Sequence, residues 1–408
     1  MKRLLLVMLL LTPACQRTEA VGSTPKPTVQ ILHAPEANLT DACVANPNPD
    51  IDYFPEKIAT QYARVFRVSY HRTFKVVEIE SDVGGGEHSQ YVLVQCGTAP
   101  PAGYADAHVI QVPVMRFATS QSPPSQFRAL DEMGVVDRLV GVNNFKEIME
   151  PAVLQRIKDG QVHEIGSGTH SSIEMAMALD PELIFTFYSA NPDANMHPKL
   201  WEVGVKAIPV ADHTESDPLA RAEWLKFTAL FFNREHEAEK MFSGIAERYL
   251  ALKKMASHVS SRLEVLLGAP NGRGIWGLNG GRNYLARAVE DAGGTYVWNS
   301  DFTSTIEDAD YERIFDLSGD ASFWFATSGA ITAANRRALI ASDFRMQFFS
   351  PVARSGLYGN DAGRLPSGAI PFTNESLSTP DVLLADLIGI LHPELLPSRQ
   401  LVYLRKVD

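Results

Sequence analysis

Residues 217–257, DPLARAEWLKFTALFFNREHEAEKMFSGIAERYLALKKMAS, decide how this chain is organised. Asp217 followed by Pro218 predicts a helix start, because aspartate caps free N–H groups and proline suits the first helical position. No glycine or further proline occurs up to Asn233. Beyond it, apolar residues recur at steps of three and four, which indicates one apolar helix face. These residues are Ala238, Phe242, Ile245, Tyr249, Leu252 and Met255.

A continuous helix over this segment has about 40 residues and a length of about 60 Å. An element of that length can connect two lobes. Gly244 can bend it. The alternative is a pair of helices packed within one domain.

The chain on either side of this segment alternates short apolar runs with helical patterns, which is typical of parallel βαβ units. Strands are predicted at 139–142, 183–187, 207–210, 265–267, 296–298 and 323–325, and helices at 172–179, 199–203, 284–291, 311–317 and 381–391. We therefore expect an N-terminal α/β lobe at 41–216, a connecting helix at 217–257 and a C-terminal α/β lobe at 258–408.

The N-terminus has the pattern of a secretory signal. Lys2 and Arg3 precede an apolar run at 4–11, which is too short to span a bilayer, and a small-residue site that ends in Cys15. This arrangement resembles the bacterial lipobox, in which the cysteine thiol is acylated. The alternative is an ordinary secretory signal. We expect a signal peptide at 1–15 and a flexible tether at 16–40.

Two further cysteines, Cys43 and Cys96, would reach a compartment in which disulfides persist. We expect a bridge between them, with two buried thiols as the alternative. Strand patterns at 74–79 and 91–95 flank a turn that contains Gly84, Gly85 and Gly86, which predicts a β-hairpin.

Composition favours a soluble globular protein, since 45% of the 408 residues are hydrophobic and 21% are charged. A net charge of −11 disfavours nucleic acid as a partner. An enzyme is disfavoured because no Gly-x-Ser-x-Gly elbow or free catalytic cysteine occurs. The histidines show no metal-binding motif, and convergence of His163, His170 and His213 is only an alternative.

Several segments in a fixed order resemble one family. They are VPVMRFAT at 112–119, LDEMGVVDRLVG at 130–141, IEMAMALDPELI at 173–184, PLARAEWLKF at 218–227 and YERI at 311–314. Together they resemble the substrate-binding proteins of iron-siderophore and cobalamin ABC importers, in their lipoprotein branch. The resemblance implies an α/β fold with two Rossmann-like lobes joined by a single long α-helix, with a small N-terminal β-hairpin extension.

The same resemblance implies capture of a metal chelate and its delivery to a permease and ATPase complex of an ABC importer. The expected ligand is an iron(III) siderophore, and the alternatives are cobalamin, another corrinoid or haem. No covalently held cofactor is implied, and the protein would be lipid-anchored at a bacterial membrane. Glu174 and Glu312 stand where the family presents one carboxylate per lobe to permease arginines. The alternative for Glu174 is a capping box with Ser171.

Ligand contacts are expected in loops after the carboxyl ends of strands, where ligands bind in open α/β sheets. Arginine suits anionic oxygens, and tyrosine and tryptophan give flat apolar area with a polar edge. Core packing or plain exposure is the alternative for each. The candidates are Arg116, Thr119, Tyr188, Trp276, Arg282, Tyr284 and Tyr358.

Overall fold

The computed structural model describes residues 26–81, 87–104, 107–120, 126–167, 170–189, 191–270, 275–301, 303, 306–327 and 335–408. The predicted signal peptide with its lipidation site Cys15, and the predicted turn at Gly84 to Gly86, lie outside these residues. Within the described residues no helix is both long enough and apolar enough to cross a bilayer.

An N-terminal extension forms a four-stranded sheet in the order β3-β4-β5-β6. The strands of this region are β1 (Thr28–Val29), β2 (Cys43–Val44), β3 (Phe66–Tyr70), β4 (Phe74–Ser81), β5 (Glu87–Gln95) and β6 (His108–Val112). β4 and β5 pair antiparallel up to Ser81 opposite Glu87, which confirms the predicted hairpin. The extension is larger than a hairpin, because β3 and β6 flank it.

The extension is closed by a bond between Cys43 and Cys96, whose sulfur atoms are 2.15 Å apart. The predicted pairing is therefore present. The predicted tether at 16–40 is too long, however. β1 pairs with β2, and the buried Asn38 donates through its Nδ2 to the Glu56 carbonyl oxygen at 2.9 Å. Residues 26–40 thus pack against the extension.

The first lobe is a parallel five-stranded sheet in the order β13-β12-β7-β8-β9. Its elements, with a small β10-β11 hairpin, are β7 (Phe117–Ser120), α1 (Phe127–Glu132), β8 (Leu139–Val142), α2 (Pro151–Lys158), β9 (His163–Glu164), β10 (Gly166–Ser167), β11 (His170–Ser171), α3 (Ile173–Ala178), β12 (Leu183–Phe187), α4 (His197–Glu202), β13 (Ala207–Val210) and α5 (Pro218–Ala229). In chain order this is the 3-2-1-4-5 arrangement of Rossmann-like sheets, with its switch point between β7 and β12.

The predicted single helix over 217–257 is wrong, because two helices cover this segment. Helix α5 ends at Ala229, and α6 (Glu235–Ala256) starts after a turn in which Asn233 has a φ of 57°. Such a backbone angle interrupts an α-helix, and asparagine tolerates it better than most residues. Helix α5 then packs back along α6, since Lys226 of α5 lies 2.8 Å from Glu239 of α6.

Helix α5 belongs to the first lobe, and α6 alone connects the lobes. All residues of α5 are buried, and the Trp224 ring lies 5.0 Å from Phe66 of the extension. Helix α6 has 22 residues and spans about 33 Å. Its last turns reach the second lobe, where the Tyr249 hydroxyl donates to Asp291 at 2.9 Å. Two lobes joined by one helix are thus confirmed.

The second lobe contains a five-stranded sheet in the order β17-β14-β19-β20-β21, parallel except for β21. Its elements are β14 (Leu263–Leu267), β15 (Ala269–Pro270), β16 (Ile275–Asn279), α7 (Tyr284–Asp291), β17 (Gly294–Tyr296), β18 (Ile306–Asp310), α8 (Tyr311–Ser318), β19 (Phe323–Ala326), α9 (Arg336–Ser342), α10 (Ser350–Ala353), β20 (Leu357–Gly359), α11 (Pro371–Glu375), α12 (Pro380–Leu391) and β21 (Arg405–Lys406). This 2-1-3-4-5 order is also doubly wound, with its switch point between β14 and β19.

Candidate ligand cleft and docking residues

A cavity of about 540 Å³ lies between the two lobes. Its first wall is the segment after β8, with Asn144, Lys146 and Glu147, and its second wall is the segment at 367–374 between β20 and the end of α11. The first segment directly follows the carboxyl end of the parallel strand β8, which is where open α/β sheets bind ligands. The volume falls within the range of small-molecule sites, about 300–1,000 Å³.

Six of the nine described residues that line this cavity carry polar side chains. Lys146 supplies a cation, and the Asn144 amide donates to the Glu147 carboxylate at 2.9 Å. On the facing wall Thr373 is exposed, and the buried Asn374 donates through its Nδ2 to the Ile370 carbonyl oxygen at 2.9 Å. No aromatic ring occurs among the described residues that line the cavity. Such walls suit a ligand with many polar oxygens.

A second contact between the lobes joins α5 to α7. The Arg221 guanidinium lies over the Tyr284 ring, with its carbon 4.0 Å from the ring centroid. A cavity of about 10 Å³, room for about one water molecule, lies beside this pair and is lined by Asp212 and Ser378 among others. The two lobes therefore meet at a cation–π pair.

Three buried polar atoms of this region lack a hydrogen-bond partner in the part of the chain that the structure describes: Asp212 Oδ1, His213 Nδ1 and Arg221 Nε. Burial, and to a smaller extent the nearby Arg221 charge, lower the pKa of His213 to about 3. Burial raises the pKa of Asp212, while Arg221 opposes the change. The Tyr284 pKa is also raised, mainly by burial.

Three predicted ligand residues lie at or near the carboxyl edges that face the other lobe. Thr119 is buried in β7, one residue before its end, and Tyr188 is buried directly after β12. They flank the first-lobe switch point. Tyr284 opens α7 beneath Arg221.

Two other predicted ligand residues have structural partners away from this edge. Arg116 precedes β7 at its amino end, where its guanidinium donates to the Leu179 carbonyl oxygen at 2.8 and 3.0 Å. Trp276 is buried, with its ring 4.9 Å from Trp324 and 5.4 Å from Phe349. The structure therefore does not bring Arg116 or Trp276 to the cleft. Helix capping and core packing account for them.

The last two predicted ligand residues, Arg282 and Tyr358, are not among the described residues that line the cavity. Arg282 is exposed in the turn before α7, and its backbone N–H donates to the Thr303 carbonyl oxygen at 2.9 Å. Tyr358 is half-buried at the centre of β20, where its ring packs on Phe323 and Phe325.

The predicted docking residues Glu174 and Glu312 have matching positions in the two lobes. Each is the second residue of a helix, α3 and α8, and each is exposed at the helix start. The helix caps are Ser172 and Asp310, which each accept a backbone N–H. The structure thus presents one exposed carboxylate from each lobe.

The capping box proposed for Ser171 and Glu174 is not formed, because the cap is the next residue and Glu174 is the second residue of the helix, not the third. Ser172 is the cap, and its hydroxyl also donates to the Glu174 carboxylate at 2.9 Å. The backbone N–H of Glu174 and the Ser172 hydroxyl lower the pKa of this carboxyl. The exposed Glu174 side chain is therefore held as an anion.

Sequence reasoning missed the polar residues that line the large cavity and the residues around Arg221. Asn144 and Lys146 could have been found, because they directly follow the predicted strand at 139–142. Thr373 and Asn374 lie in a long segment without strand or helix periodicity, so only the tertiary structure brings them to the cleft. Within the described residues, which do not include the side chain of His170, no group of three or more His, Cys, Asp or Glu side chains could hold a metal ion.

Comparison with known proteins agrees with this architecture. The model of a family described as periplasmic binding protein matches residues 122–343, more than half of the chain. An uncharacterized lipoprotein of Methanocaldococcus jannaschii is 24% identical over 65% of this chain and 68% of its own length. A second one is 22% identical over 74% of this chain and 70% of its own length.

Solved structures share the fold at low identity. A periplasmic heme binding protein from Pseudomonas aeruginosa has a TM-score of 0.54 and 17% identity, over 72% of this chain and 98% of that chain. A possible iron-binding, periplasmic solute-binding protein from Staphylococcus epidermidis has a TM-score of 0.53 and 15% identity, over 69% and 99%. The chain belongs to the periplasmic binding protein family, whose members bind solutes and are not enzymes.

Proposed function

We propose that this protein is an extracytoplasmic lipoprotein that captures an iron(III) siderophore between its lobes and delivers it to an ABC importer. The observation that carries the proposal is the cavity between the lobes, with one wall from the segment after β8 and the other from 367–374. Family membership supports an importer as partner. The names of the Methanocaldococcus relatives support a lipid anchor at Cys15.

The polar side chains along the cavity support a siderophore over haem. A ferric siderophore surrounds its metal with polar and anionic oxygens, which the Lys146 ammonium and the hydroxyl of Thr373 can contact. A macrocycle with large apolar faces would favour aromatic walls, and no aromatic ring is among the described lining residues. Haem and corrinoids are therefore included in the test as alternative ligands.

Thermal stabilisation of the purified protein by ferric hydroxamates, ferric catecholates, haem and corrinoids tests the ligand. We expect a ferric siderophore to raise the Tm. Lys146→Met should weaken its binding by about tenfold or more, because a charge-assisted hydrogen bond is lost. Lys240→Met, at an exposed position on α6, is the matched control. Stabilisation by haem or a corrinoid alone would contradict the siderophore proposal.

For docking, Glu174 and Glu312 each offer a carboxylate to arginines of the permease. Such pairs set orientation and association rate. Glu174→Gln and Glu312→Gln should reduce ligand-stimulated ATPase activity of the reconstituted importer and leave ligand affinity unchanged. Glu247→Gln, exposed on α6, is the control. Equal ATPase stimulation by all variants would exclude these two residues from docking.

A lipid on Cys15 has a direct test. Mass spectrometry of the N-terminal peptide from membranes should show an acylated Cys15. A Cys15→Ser chain should appear in the soluble extracytoplasmic fraction. A membrane-bound Cys15→Ser chain would argue against this anchor.

A further inference from the structure

The surface beside Glu312 carries an exposed aromatic pair. Phe344 and Phe348 belong to a short 3-10 helix, Phe344–Phe348, and retain 66% and 57% of their accessible surface. Their ring centroids are 6.4 Å apart in an edge-to-face arrangement. Paired exposed rings are unusual on a water-facing surface and often mark an interaction site.

This pair is held firmly against helix α8. Met346, between the two rings, is buried, and the Tyr311 hydroxyl donates to the Arg345 carbonyl oxygen at 3.1 Å. The Arg345 guanidinium lies over the Tyr311 ring at 4.2 Å, and its Nη1 is 4.0 Å from the Glu312 carboxylate. The segment that carries the two rings is therefore packed against α8, beside the exposed Glu312 carboxylate.

The first lobe shows a related arrangement. On α3 the exposed side chains of Met175 and Met177 retain 44% and 47% of their surface beside Glu174. Each candidate docking carboxylate is thus accompanied by exposed apolar side chains. Rings at the centre of an interface commonly carry much of its binding energy.

We infer that Phe344 and Phe348 are the apolar anchors of the second-lobe docking surface, and that they insert into an apolar recess of the importer's permease next to the arginine that pairs with Glu312. The inference rests on the proposed function. Charge favours this occupant over lipid, because the net charge of −11 opposes adsorption to an anionic membrane, whereas the exposed Glu312 beside the rings suits a protein surface that carries an arginine.

The test measures binding of the full chain, produced without lipid, to the permease and ATPase complex in nanodiscs. Replacing both rings, Phe344→Gln with Phe348→Gln, should weaken Kd by at least about tenfold. Leu32→Gln with Leu250→Gln, at exposed positions of the extension and α6, should change it less than about twofold. The Tm of both double variants should match that of the wild type.

Three outcomes would overturn the inference, and they are distinguishable. If Glu174→Gln and Glu312→Gln reduce binding while the phenylalanine variant binds normally, the anchors are wrong and the proposed function stands. If the wild type does not bind the complex at all, the proposed function fails too. If binding to phosphatidylglycerol vesicles needs the two rings but binding to the permease and ATPase complex does not, the partner of the rings is the membrane.

Discussion

The ammonium nitrogen of Lys75 lies 2.6 Å from a carboxylate oxygen of Glu235, and both side chains are completely buried. Lys75 comes from strand β4 of the extension, and Glu235 is the first residue of the connecting helix α6. Lys75 also donates to Asn233 Oδ1 at 2.8 Å and to the Leu230 carbonyl oxygen at 2.6 Å. The extension therefore supports the turn from which the connecting helix starts.

Removing one partner of this pair should be more damaging than removing both. Lys75→Met leaves a buried carboxylate without its cation, and we expect the free energy of unfolding to fall by about 3–5 kcal/mol. Combining it with Glu235→Met should restore most of the loss. Urea denaturation of the single and double variants measures this. If the double variant is as unstable as Lys75→Met, apolar packing cannot replace the pair.

The Cys43–Cys96 bond should contribute substantially to stability. It closes a loop across a sequence separation of 53, and restriction of the unfolded chain predicts about 4 kcal/mol. We expect a reductant to lower the urea midpoint of the wild type. A Cys43→Ala, Cys96→Ala chain should show the lower midpoint in either redox condition. Identical midpoints for the oxidised and reduced wild type would contradict this contribution.

The contact between Arg221 and Tyr284 should help to hold the lobes together. Tyr284→Leu removes the ring beneath the guanidinium and should lower the free energy of unfolding by about 1–2 kcal/mol. Tyr284→Phe keeps the ring face and is the matched control. Small-angle X-ray scattering should show a larger radius of gyration for Tyr284→Leu. An unchanged radius would mean that helix α6 alone fixes the lobe arrangement.

Local patterns were sufficient for most of the fold. The strands β8, β12 and β13 and helix α7 have the predicted bounds, because each is a short apolar or amphipathic run between turn residues. Helix length was not predictable in the same way. The break at Asn233 depends on the buried partners of the turn, including Lys75, which is distant in sequence.

The site was less predictable than the fold. The positions of Glu174 and Glu312 at helix starts were predicted, because their motifs include the start of a helix. The cleft residues were not predicted, because whether a loop side chain meets the other lobe depends on how the lobes are placed. Trp276 illustrates this, since its strand was not predicted and its ring packs in the core.

The imidazole of His213 should make stability depend on pH. Burial lowers its pKa to about 3, and it stacks on Phe187 at 4.4 Å with Asp212 and Arg221 nearby. Below the unfolded pKa of about 6.5, the unfolded chain binds a proton that the folded chain does not, so stability falls as pH falls. Because 27% of the side chain is exposed, we expect this residue to account for about 1 kcal/mol of the loss in the free energy of unfolding between pH 7.5 and 5.

Urea denaturation at several pH values tests this. His213→Gln should remove this contribution to the pH dependence, and the exposed-site variant His258→Gln should not. Equal pH dependence in His213→Gln and the wild type would show that folding does not lower the pKa of this imidazole.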